Sequence, residues 1–349
     1  PNENIFIFKI PMGVVSGILP WNFPFFLIAR KVAPALVTGN TIVIKASEET
    51  SNNAFLFSQI LKKIDLPRGV VNFVYGQGPT VGKQLSSNKK IDMISFTGSV
   101  ETGSAIMGEA AKNITKVNLE LGGKAPALVL ADADIDLAVS KIRDARIINS
   151  GQVCNCVERV YVDRKIVDEF TDKLTIAMKN AKFGNPNLSS DIDYGPLINE
   201  EGSNKVTDLV NSAKNSGGEI LTGGHRDESS KGIYFPPTVI ANCKQDMRII
   251  REEIFGPVLP LVVFDELDQA IEYANDSDFG LTSSIFTNNL KTAMRACNEI
   301  KFGETMINRD NMEIFQSFHA GLRKSGIGGA DGKHGLYEYM QTHAVYMRS

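Results

Sequence analysis

Residues 70–82 read VVNFVYGQGPTVG, and this stretch decides the fold. The apolar, β-branched run at residues 70–75 predicts a strand, and residues 80–86 have the spacing of a short helix. The loop between them has the form Gly-x-Gly-x-x-x-Gly, one residue longer than the usual dinucleotide-binding pattern. A loop between a strand and a helix N-terminus is a common place for phosphate or pyrophosphate groups to bind. The stretch therefore predicts an α/β unit with a candidate phosphate site.

Strands and helices alternate in the same way along the rest of the chain. In the first series, predicted strands cover residues 14–19, 41–45, 70–75, 93–97 and 116–121, and predicted helices cover residues 25–36, 51–64, 80–86 and 101–111. In the second series, predicted strands cover residues 127–130, 159–162, 258–264, 281–286 and 305–308, and predicted helices cover residues 135–148, 166–181, 200–216, 267–275 and 290–300. Strands joined by helical crossovers predict parallel sheets of a doubly wound α/β fold.

The two series meet at residues 121–124, Leu-Gly-Gly-Lys, where we place a domain boundary. The first domain then covers residues 1–122, the second covers residues 123–335, and residues 336–349 form a C-terminal segment. Residues 1–10 alternate in hydrophobicity and predict a strand that joins a domain already under way. Residues 344–347 alternate in the same way, and a strand there is able to pair with the edge of another chain.

The composition argues against several classes of partner. The 349 residues carry a net charge of −3, so there is no basic excess for binding nucleic acid. No apolar run approaches the roughly 18 residues that span a bilayer, and no signal peptide opens the chain. Four scattered cysteines are too few for a disulfide framework. We therefore expect a cytoplasmic protein without nucleic-acid or membrane partners.

Cys154 is the first candidate for catalysis. Residues 149–154 read NSGQVC and follow the predicted helix at residues 135–148, so the cysteine lies just beyond the apolar stripe of that helix. Cysteines that serve packing usually lie within such a stripe. A cysteine on an exposed turn is placed to react if its thiolate is stabilised, and the alternative is a free structural thiol.

Two further polar residues lie in positions that suit acyl-transfer chemistry. Glu120 ends an apolar strand, where burial raises a carboxyl pKa toward the value that suits a general base. Its alternative is an ion pair with Lys116 or Lys124. Asn22 lies in the stretch PWNFP at residues 20–24, where two prolines fix the backbone around an amide that could stabilise an oxyanion. Its alternative is an ordinary asparagine at a helix start.

Taken in order, these segments resemble the aldehyde dehydrogenase superfamily. The matching segments are residues 20–24, 45–48, 96–99, 119–124, 151–154 and 252–257, and the resemblance extends over essentially the whole chain. It implies a Rossmann-type cofactor domain over residues 1–122 and an α/β catalytic domain over residues 123–335. It also implies that residues 1–12 belong to an oligomerisation hairpin and that residues 336–349 contain an oligomerisation strand. We therefore expect a homo-oligomer, either a dimer or a tetramer.

The resemblance also implies a catalytic mechanism. Cys154 resembles the nucleophile that attacks the aldehyde carbonyl to form a thiohemiacetal, which is then oxidised to a thioester. Asn22 and the backbone N–H of Cys154 would hold the oxyanion. Glu120 would activate the water that hydrolyses the thioester to the carboxylic acid.

The implied cofactor is NAD. Glu48 matches the residue that accepts a hydrogen bond from the adenosine 2′-hydroxyl and would repel the 2′-phosphate of NADP. The residues assigned to the cofactor are Trp21, Lys45, Glu48, Gly78, Gly82, Phe96, Gly98, Ser99, Leu121, Glu253 and Phe255. Nothing indicates a flavin, and Cys154 with Cys156 cannot fill a tetrahedral metal shell without further ligands. We therefore expect no metal site.

Four residues are assigned to the substrate: Arg30, Asn155, Glu313 and His319. Arg30, Asn155 and His319 together would form a polar pocket suited to a small hydroxyaldehyde, and residues 318–335 most resemble the lactaldehyde and glycolaldehyde dehydrogenases. The alternatives are a structural role for His319 and a surface position for Arg30. A substrate of the succinic-semialdehyde type also fits, because Arg30 could pair with a distal carboxylate.

The resemblance further implies that relatives carry an N-terminal region ahead of Pro1. A truncated, non-catalytic fragment that serves only in assembly is therefore the alternative from a different functional class, supported by the apolar faces that such a truncation would expose. All the predicted catalytic residues remain in the sequence, which favours an enzyme.

Overall fold

The predicted alternation of strands and helices is present in the structure, a computed structural model that describes residues 2–348. In chain order, the strands are β1 Glu3–Pro11, β2 Val14–Ile18, β3 Thr41–Lys45, β4 Val71–Val74, β5 Met93–Thr97, β6 Lys116–Glu120, β7 Ala125–Val129, β8 Val157–Asp163, β9 Glu219–Thr222, β10 Thr238–Ala241, β11 Val258–Phe264, β12 Thr282–Phe286, β13 Glu304–Ile307, β14 Gly326–Ile327 and β15 Met340–Arg348. The α-helices are α1 Pro24–Val37, α2 Ser51–Leu61, α3 Lys83–Ser87, α4 Val100–Ala111, α5 Ile135–Ile147, α6 Val167–Lys179, α7 Glu200–Asn215, α8 Arg248–Arg251, α9 Leu267–Asn275, α10 Leu290–Glu299 and α11 Gly332–Glu338.

The chain divides into two compact units. Unit 1 contains the residues up to Leu121 together with Glu313–Ala320 and the residues from Ser325 on. Unit 2 contains Gly122–Met312 and Gly321–Lys324. Unit 2 is therefore nearly continuous in sequence, whereas unit 1 is built from three separate stretches.

Unit 1 contains a six-stranded sheet in the order β14-β6-β5-β2-β3-β4. Its strands are parallel except β14, which runs antiparallel to β6. The β-branched side chains of Ile42 and Ile44 in β3 pack with Ile28 of α1, and Ile94 and Leu119 form a second apolar cluster with α4. Both faces of the sheet are thus covered, as the apolar strands predict.

The parallel strands of unit 1 bring several predicted site residues to one edge of the sheet. Lys45 ends β3 and pairs in register with Ile18 of β2, just before Trp21 and Asn22. Glu120 ends β6 opposite Thr97, the last residue of β5. Because ligands of doubly wound sheets bind beyond the carboxyl ends of the strands, this edge is the expected binding edge.

Unit 2 contains a seven-stranded sheet in the order β13-β12-β7-β8-β11-β10-β9, with only β9 antiparallel to its neighbour. Two apolar clusters cover its faces, one including Tyr161 and the other including Val160, which alternate along β8. The segments that precede β7, β8 and β11 contain Lys124, Cys154 and Glu253 respectively. These strands are adjacent and parallel, so their amino ends lie at the same edge of the sheet.

The first and last strands, β1 and β15, pair with each other in an antiparallel ribbon in unit 1. Ile5 lies opposite Tyr346, and both side chains are exposed, as is Ile7. The ribbon therefore presents apolar side chains that an additional contact would bury. Its role in oligomerisation stays a prediction.

The sequence analysis misplaced some elements and missed others. A helix was predicted at residues 80–86. The structure instead has a wide helical turn at Gly78–Gly82, where the Gly-Pro start loosens the first turn, and then α3. The predicted helix at residues 51–64 ends at Leu61. The short elements β9, β10, β14, α8 and α11 were not predicted, since none is long enough to show a clear hydrophobic period. Within residues 2–348, no helix combines the length and hydrophobicity that crossing a membrane requires.

Candidate active site

Cys154 lies in a constrained turn of unit 2. After α5 the chain passes through three successive residues with left-handed backbone angles, Asn149 (φ 48°), Ser150 (φ 62°) and Gly151 (φ 75°). A left-handed residue other than glycine costs ~1–3 kcal/mol and persists only where its surroundings hold it in place. Cys154 follows within a turn and is partly exposed. The turn therefore presents the Cys154 thiol outside the helix, as the sequence predicts.

Cys156 has the opposite environment. Its thiol is buried, and burial raises its pKa to about 12. Its Sγ lies 3.2 Å from Nη1 of Arg146 and 3.0 Å from the carbonyl oxygen of Val153. Of the two thiols, only Cys154 is accessible for reaction. Among the described residues, no three His, Cys, Asp or Glu side chains form a group that could hold a metal ion.

The glycines before β7 lie against both the Cys154 turn and Glu253. A side chain at Gly123 would collide with the carbonyl oxygen of Cys154, and one at Gly122 would meet the Glu253 carboxylate. The N–H of Gly123 donates to Oε1 of Glu253 at 2.9 Å. Burial and the nearby charge of Glu158 raise the pKa of Glu253 to about 7. Unit 2 thus brings two segments into contact. One is the Cys154 turn, or nucleophile turn, at residues 148–156, and the other is the Glu253 loop at residues 252–257.

Asn155 directly follows Cys154 in the first of these segments, and Phe255 lies two residues after Glu253 in the second. Phe255 has a left-handed backbone (φ 58°) in the segment between α8 and β11. Asn155 is buried, and its Nδ2 donates to the carbonyl oxygen of Asn311 at 3.1 Å. The carbonyl oxygen of Asn155 accepts from Thr282 Oγ1 at 2.8 Å. These bonds fix the backbone directly after Cys154.

Trp21 and Asn22 lie in the bend between β2 and α1 of unit 1, and both are partly buried. Pro24 is the first residue of α1, a position where its missing N–H is not needed. The proline thus fixes the start of the helix two residues after Asn22. This geometry agrees with a rigidly placed amide.

Glu120 is buried at the end of β6, and its predicted lysine partners bind elsewhere. Lys116 pairs with Glu338 at 3.0 Å, and Lys124 pairs with Glu158 at 2.8 Å. Both lysines that the sequence analysis named as partners of Glu120 thus pair with other carboxylates, and the role of Glu120 stays a prediction. Nε2 of the buried His319 lies 3.4 Å from Oε2 of Glu120.

Lys31 is a buried cation near Glu120 that the sequence analysis missed. Its Nζ donates to Ser95 Oγ at 2.9 Å, and the Tyr339 hydroxyl donates to the same oxygen at 3.1 Å. Burial lowers the pKa of Lys31 to about 7, although the charge of Glu120 partly opposes this shift. A detectable signal exists, because Lys31 occupies the apolar stripe of α1 between Ile28 and Ala35.

Arg30 is held by two carboxylates of unit 1. Its Nε donates to Asp331 Oδ1 at 3.1 Å, its Nη2 contacts Asp331 Oδ2, and its Nη1 donates to Glu313 Oε1 at 3.1 Å. Only 9% of the Arg30 side chain is exposed, so the alternative of a surface cation is wrong. Burial lowers the pKa of Arg30, but the two carboxylates outweigh it and raise that pKa overall. Asp331, which the sequence analysis missed, completes this group.

The predicted adenosine residues also lie together in unit 1. Glu48 Oε2 accepts from Lys45 Nζ at 2.9 Å, and Glu48 Oε1 accepts from the N–H of Gly78 at 2.7 Å. Burial raises the pKa of Glu48, but these hydrogen bonds outweigh it and lower that pKa below its ordinary value. The carboxylate is therefore ionised at neutral pH, and it faces the start of the glycine loop.

The remaining predicted cofactor residues of unit 1 lie in or after β4, β5 and β6. The Ser99 hydroxyl caps α4 by accepting from the N–H of Thr102. Gly98 has no room for a side chain because the ring of the buried Phe96 lies against it. The N–H of Leu121 donates to the carbonyl oxygen of Ser325 at 2.8 Å.

A cavity of about 440 Å³ opens beside the glycine loop that ends at the buried Gly82. Its lining residues are Val74, Pro79, Thr80, Val81, Lys83, Gln84, Leu85 and Asn88. Val74, Pro79, Val81 and Leu85 give the cavity an apolar side, which suits a flat aromatic group. The cavity and the Glu48 carboxylate together fit the adenosine end of a dinucleotide.

A dinucleotide-type loop and an accessible cysteine in a constrained turn are features of dehydrogenases that act through a thiol. The chain belongs to the aldehyde dehydrogenase family, whose sequence model matches residues 1–345. The protein is therefore an aldehyde-oxidising oxidoreductase. The predictions of the family and of the α/β fold are confirmed.

Individual relatives show how far the similarity extends. Lactaldehyde dehydrogenase of Escherichia coli strain K12 is 60% identical over 349 residues, which cover 100% of this chain and 73% of that protein. The crystal structure of the E. coli lactaldehyde dehydrogenase superposes with a TM-score of 0.99 over the same shares. A structure of 3,6-anhydro-L-galactose dehydrogenase with NADP is 42% identical, has a TM-score of 0.96, and covers 99% of this chain and 73% of that chain.

A third relative has been solved with NAD⁺. The betaine aldehyde dehydrogenase of Staphylococcus aureus in complex with NAD⁺ is 38% identical and has a TM-score of 0.96, covering 99% of this chain and 69% of that chain. The family relationship thus indicates NAD or NADP as the cofactor.

Proposed function

We propose that this protein oxidises a small hydroxyaldehyde, lactaldehyde or glycolaldehyde, to the carboxylic acid with NAD as the oxidant. The observation that carries the proposal is the polar group in unit 1, where Arg30 is held by Asp331 and Glu313 and where His319 lies 3.4 Å from Glu120. Buried donors and acceptors of this kind suit a substrate hydroxyl better than an alkyl chain. The name of the 60% identical relative supports the same substrate.

In the proposed reaction, the Cys154 thiolate adds to the aldehyde carbon, forming a C–S bond and an oxyanion. The Asn22 amide and the Cys154 N–H donate hydrogen bonds to that oxyanion, each of them worth about 3–4 kcal/mol in comparable sites. The chemistry that a bound NAD⁺ would supply is acceptance of the hydride from the tetrahedral carbon, which leaves a thioester on Cys154. Glu120 then removes a proton from water, which attacks the resulting thioester and releases the acid with the free thiol.

The geometry around Arg30 favours a hydroxyaldehyde over a substrate of the succinic-semialdehyde type. A distal substrate carboxylate would need an arginine whose charge is not already balanced. The Arg30 guanidinium already binds Asp331 through two nitrogens and Glu313 through the third. A third carboxylate would meet two like charges, and repulsion between like charges in a buried site is costly.

A substrate panel tests this proposal. We expect wild-type kcat/KM to be highest for lactaldehyde or glycolaldehyde and at least tenfold lower for succinic semialdehyde, measured by NADH absorbance. His319→Phe should lower kcat/KM for hydroxyaldehydes about fivefold relative to propionaldehyde, because one hydrogen bond contributes about 1 kcal/mol. The exposed His225 offers a control, since His225→Phe should leave the ranking unchanged. An unchanged ranking in His319→Phe would refute the pocket. The absence of NADH with every aldehyde would favour a non-catalytic assembly role.

NAD is the proposed cofactor because Glu48 is ionised and faces the glycine loop. Trp21, Lys45, Glu48, Gly78, Gly82, Phe96, Gly98, Ser99 and Leu121 in unit 1, and Glu253 and Phe255 in unit 2, are the residues that we assign to it. The Glu48 carboxylate would accept from the 2′-hydroxyl of the adenosine ribose and repel a phosphate at that position. Nearby like charges near a protein surface repel by a few kcal/mol at most.

Glu48→Gln should relax this preference. The amide keeps one hydrogen-bond acceptor but removes the negative charge, so we expect kcat/KM with NADP to rise about tenfold and kcat/KM with NAD to fall less than tenfold. Initial rates at several concentrations of each cofactor measure the change. Glu49→Gln, at the exposed neighbouring position, should leave the NAD/NADP ratio unaltered. If Glu48→Gln leaves that ratio unaltered as well, charge exclusion by Glu48 is not the cause of the preference.

We also infer a cytoplasmic location and a homo-oligomer, a dimer or a tetramer. Cys154, Cys156, Cys243 and Cys297 are all free thiols, which suits a reducing compartment. The exposed apolar side chains of the β1–β15 ribbon, such as Ile5 and Ile7, support contact with another copy of the chain.

A further inference from the structure

We propose that Arg146 and Glu158, a buried ion pair in unit 2, are positioning residues that hold the Cys154 turn and the Glu253 loop in fixed register. Neither residue was singled out by the sequence, and neither contacts substrate or cofactor in the proposed reaction. The inference rests on the proposed function for the roles of Cys154 and Glu253. Its geometry, however, belongs entirely to unit 2.

Arg146 reaches the backbone on both sides of the Cys154 turn. Its Nη2 donates to the carbonyl oxygen of Gly151 at 3.3 Å, and its Nη1 donates to the carbonyl oxygen of Val157 at 2.6 Å. Its Nε donates to the carbonyl oxygen of Gly256 at 2.7 Å. One guanidinium therefore joins both ends of the nucleophile turn to the end of the Glu253 loop.

Glu158 holds the same loop from its other side. Its Oε2 accepts from the N–H of Ile254 at 2.8 Å, and its Oε1 accepts from the N–H of Phe255 at 3.1 Å. Its Oε1 also accepts from Arg146 Nη1 at 2.9 Å, and its Oε2 from Lys124 Nζ at 2.8 Å. The two backbone donors directly follow Glu253, so the position of the Glu253 side chain depends on Glu158.

The backbone of both loops needs such support. Asn149 and Ser150 before Cys154, and Phe255 after Glu253, have left-handed angles that non-glycine residues adopt only when their surroundings hold them there. Gly151 also lies against the carbonyl oxygen of Gly256, leaving no room for a side chain. The two loops thus touch through their backbones at the point that Arg146 spans.

The charges of the group are buried, and two cations share one carboxylate. The side chains of Arg146 and Lys124 are fully buried, and 1% of Glu158 is exposed. Burial alone would raise the pKa of Glu158, but Arg146 and Lys124 outweigh it and lower that pKa to about 2. Buried ion pairs contribute little net stability compared with well-packed apolar residues. Fixing the geometry of two strained loops is a function that an apolar replacement would not serve.

The test compares Glu158→Gln and the charge-balanced double variant Glu158→Gln/Lys124→Met with the wild type and with Leu174→Ala. Leu174 is a buried core residue of α6, so its variant lowers the stability of unit 2 without removing a hydrogen bond from either loop. The double variant removes one negative and one positive charge, so the net charge of the buried group stays that of the wild type, whereas Glu158→Gln alone adds one uncompensated positive charge. The readout is the rate of Cys154 alkylation by iodoacetamide between pH 6 and 10, resolved by peptide mass spectrometry without aldehyde.

We expect both Glu158 variants to change the Cys154 alkylation rate at least tenfold at one pH and to shift its pH profile, and the KM for NAD to rise at least threefold. Leu174→Ala should keep the wild-type profile within twofold. A profile in the Glu158 variants that matches that of Leu174→Ala would overturn the proposal. Alkylation needs no turnover, so a wild type that forms no NADH would refute the proposed function without deciding the role of the ion pair.

A measurement on the wild type keeps the proposal testable if neither Glu158 variant folds. The N–H groups of Ile254 and Phe255 should exchange with deuterium at least 100-fold more slowly than those of the exposed loop at residues 228–231, because they donate to a buried carboxylate. Exchange at the rate of that loop would show that Glu158 does not hold the segment.

Discussion

Replacement of Cys154 by alanine is expected to abolish both aldehyde oxidation and ester hydrolysis. In the proposed mechanism both reactions require a bond between the Cys154 sulfur and a carbonyl carbon, and Cys156 cannot substitute because burial raises the pKa of its thiol to about 12. Loss of a nucleophile that acts with its partner groups typically lowers kcat by about 10⁶-fold. NADH formation and hydrolysis of p-nitrophenyl acetate measure the two activities.

The matched control is Cys297→Ser, which removes a partly exposed thiol on α10 of unit 2. This variant should keep at least half of the wild-type kcat in both assays. Residual dehydrogenase activity in Cys154→Ala above about 1% of the wild-type value would remove Cys154 from the role of nucleophile.

Glu120→Gln should separate the two halves of the reaction. Formation of the thioester does not need the general base that activates water, so we expect a burst of about one NADH for each active site. The following steady state should be about 10²–10⁴-fold slower than in the wild type, which is the usual contribution of a general base. Rapid-mixing absorbance measures the burst, and intact-protein mass spectrometry should detect the acyl group on the enzyme.

Glu109→Gln, on α4 of the same unit, is the control for Glu120→Gln. Glu109 is partly exposed and pairs with Lys112 on the protein surface, so its loss should leave kcat within twofold of the wild-type value. A Glu120→Gln enzyme with the wild-type steady-state rate would show that another group activates the water.

Much of the fold could be predicted because most strands are recognisable from their own residues. The predicted strands at residues 41–45, 93–97 and 258–264 agree with the observed bounds of β3, β5 and β11. Each of them is an apolar, β-branched run between turn residues, which determines its structure locally. Strands β9 and β10 have only four residues each, and their pairing depends on neighbours far along the chain.

Individual residues of the candidate site could be predicted from the sequence, but the ion pairs and hydrogen bonds between them could not. Glu120 ends β6 and Cys154 lies in the turn between α5 and β8, so both interrupt or follow an apolar pattern that makes them conspicuous. The pairing of Arg30 with Asp331 joins residues 301 positions apart, and no local pattern indicates it. Lys31 and Arg146 were missed because a lysine or arginine on a helix is normally a solvated residue. Burial identifies both as structural cations, and for Lys31 the apolar stripe of α1 was the one sequence signal.

The division of unit 1 among three stretches of the chain has a consequence for synthesis on the ribosome. Strand β14 covers the edge of β6 through the pairing of Gly326 with Glu120, so this edge stays open until translation passes residue 327. All seven strands of the unit 2 sheet are synthesised before β14, so that sheet can form before the edge of β6 is covered. A nascent chain stalled before β14 would therefore expose the strand that carries Glu120, a surface to which chaperones would bind.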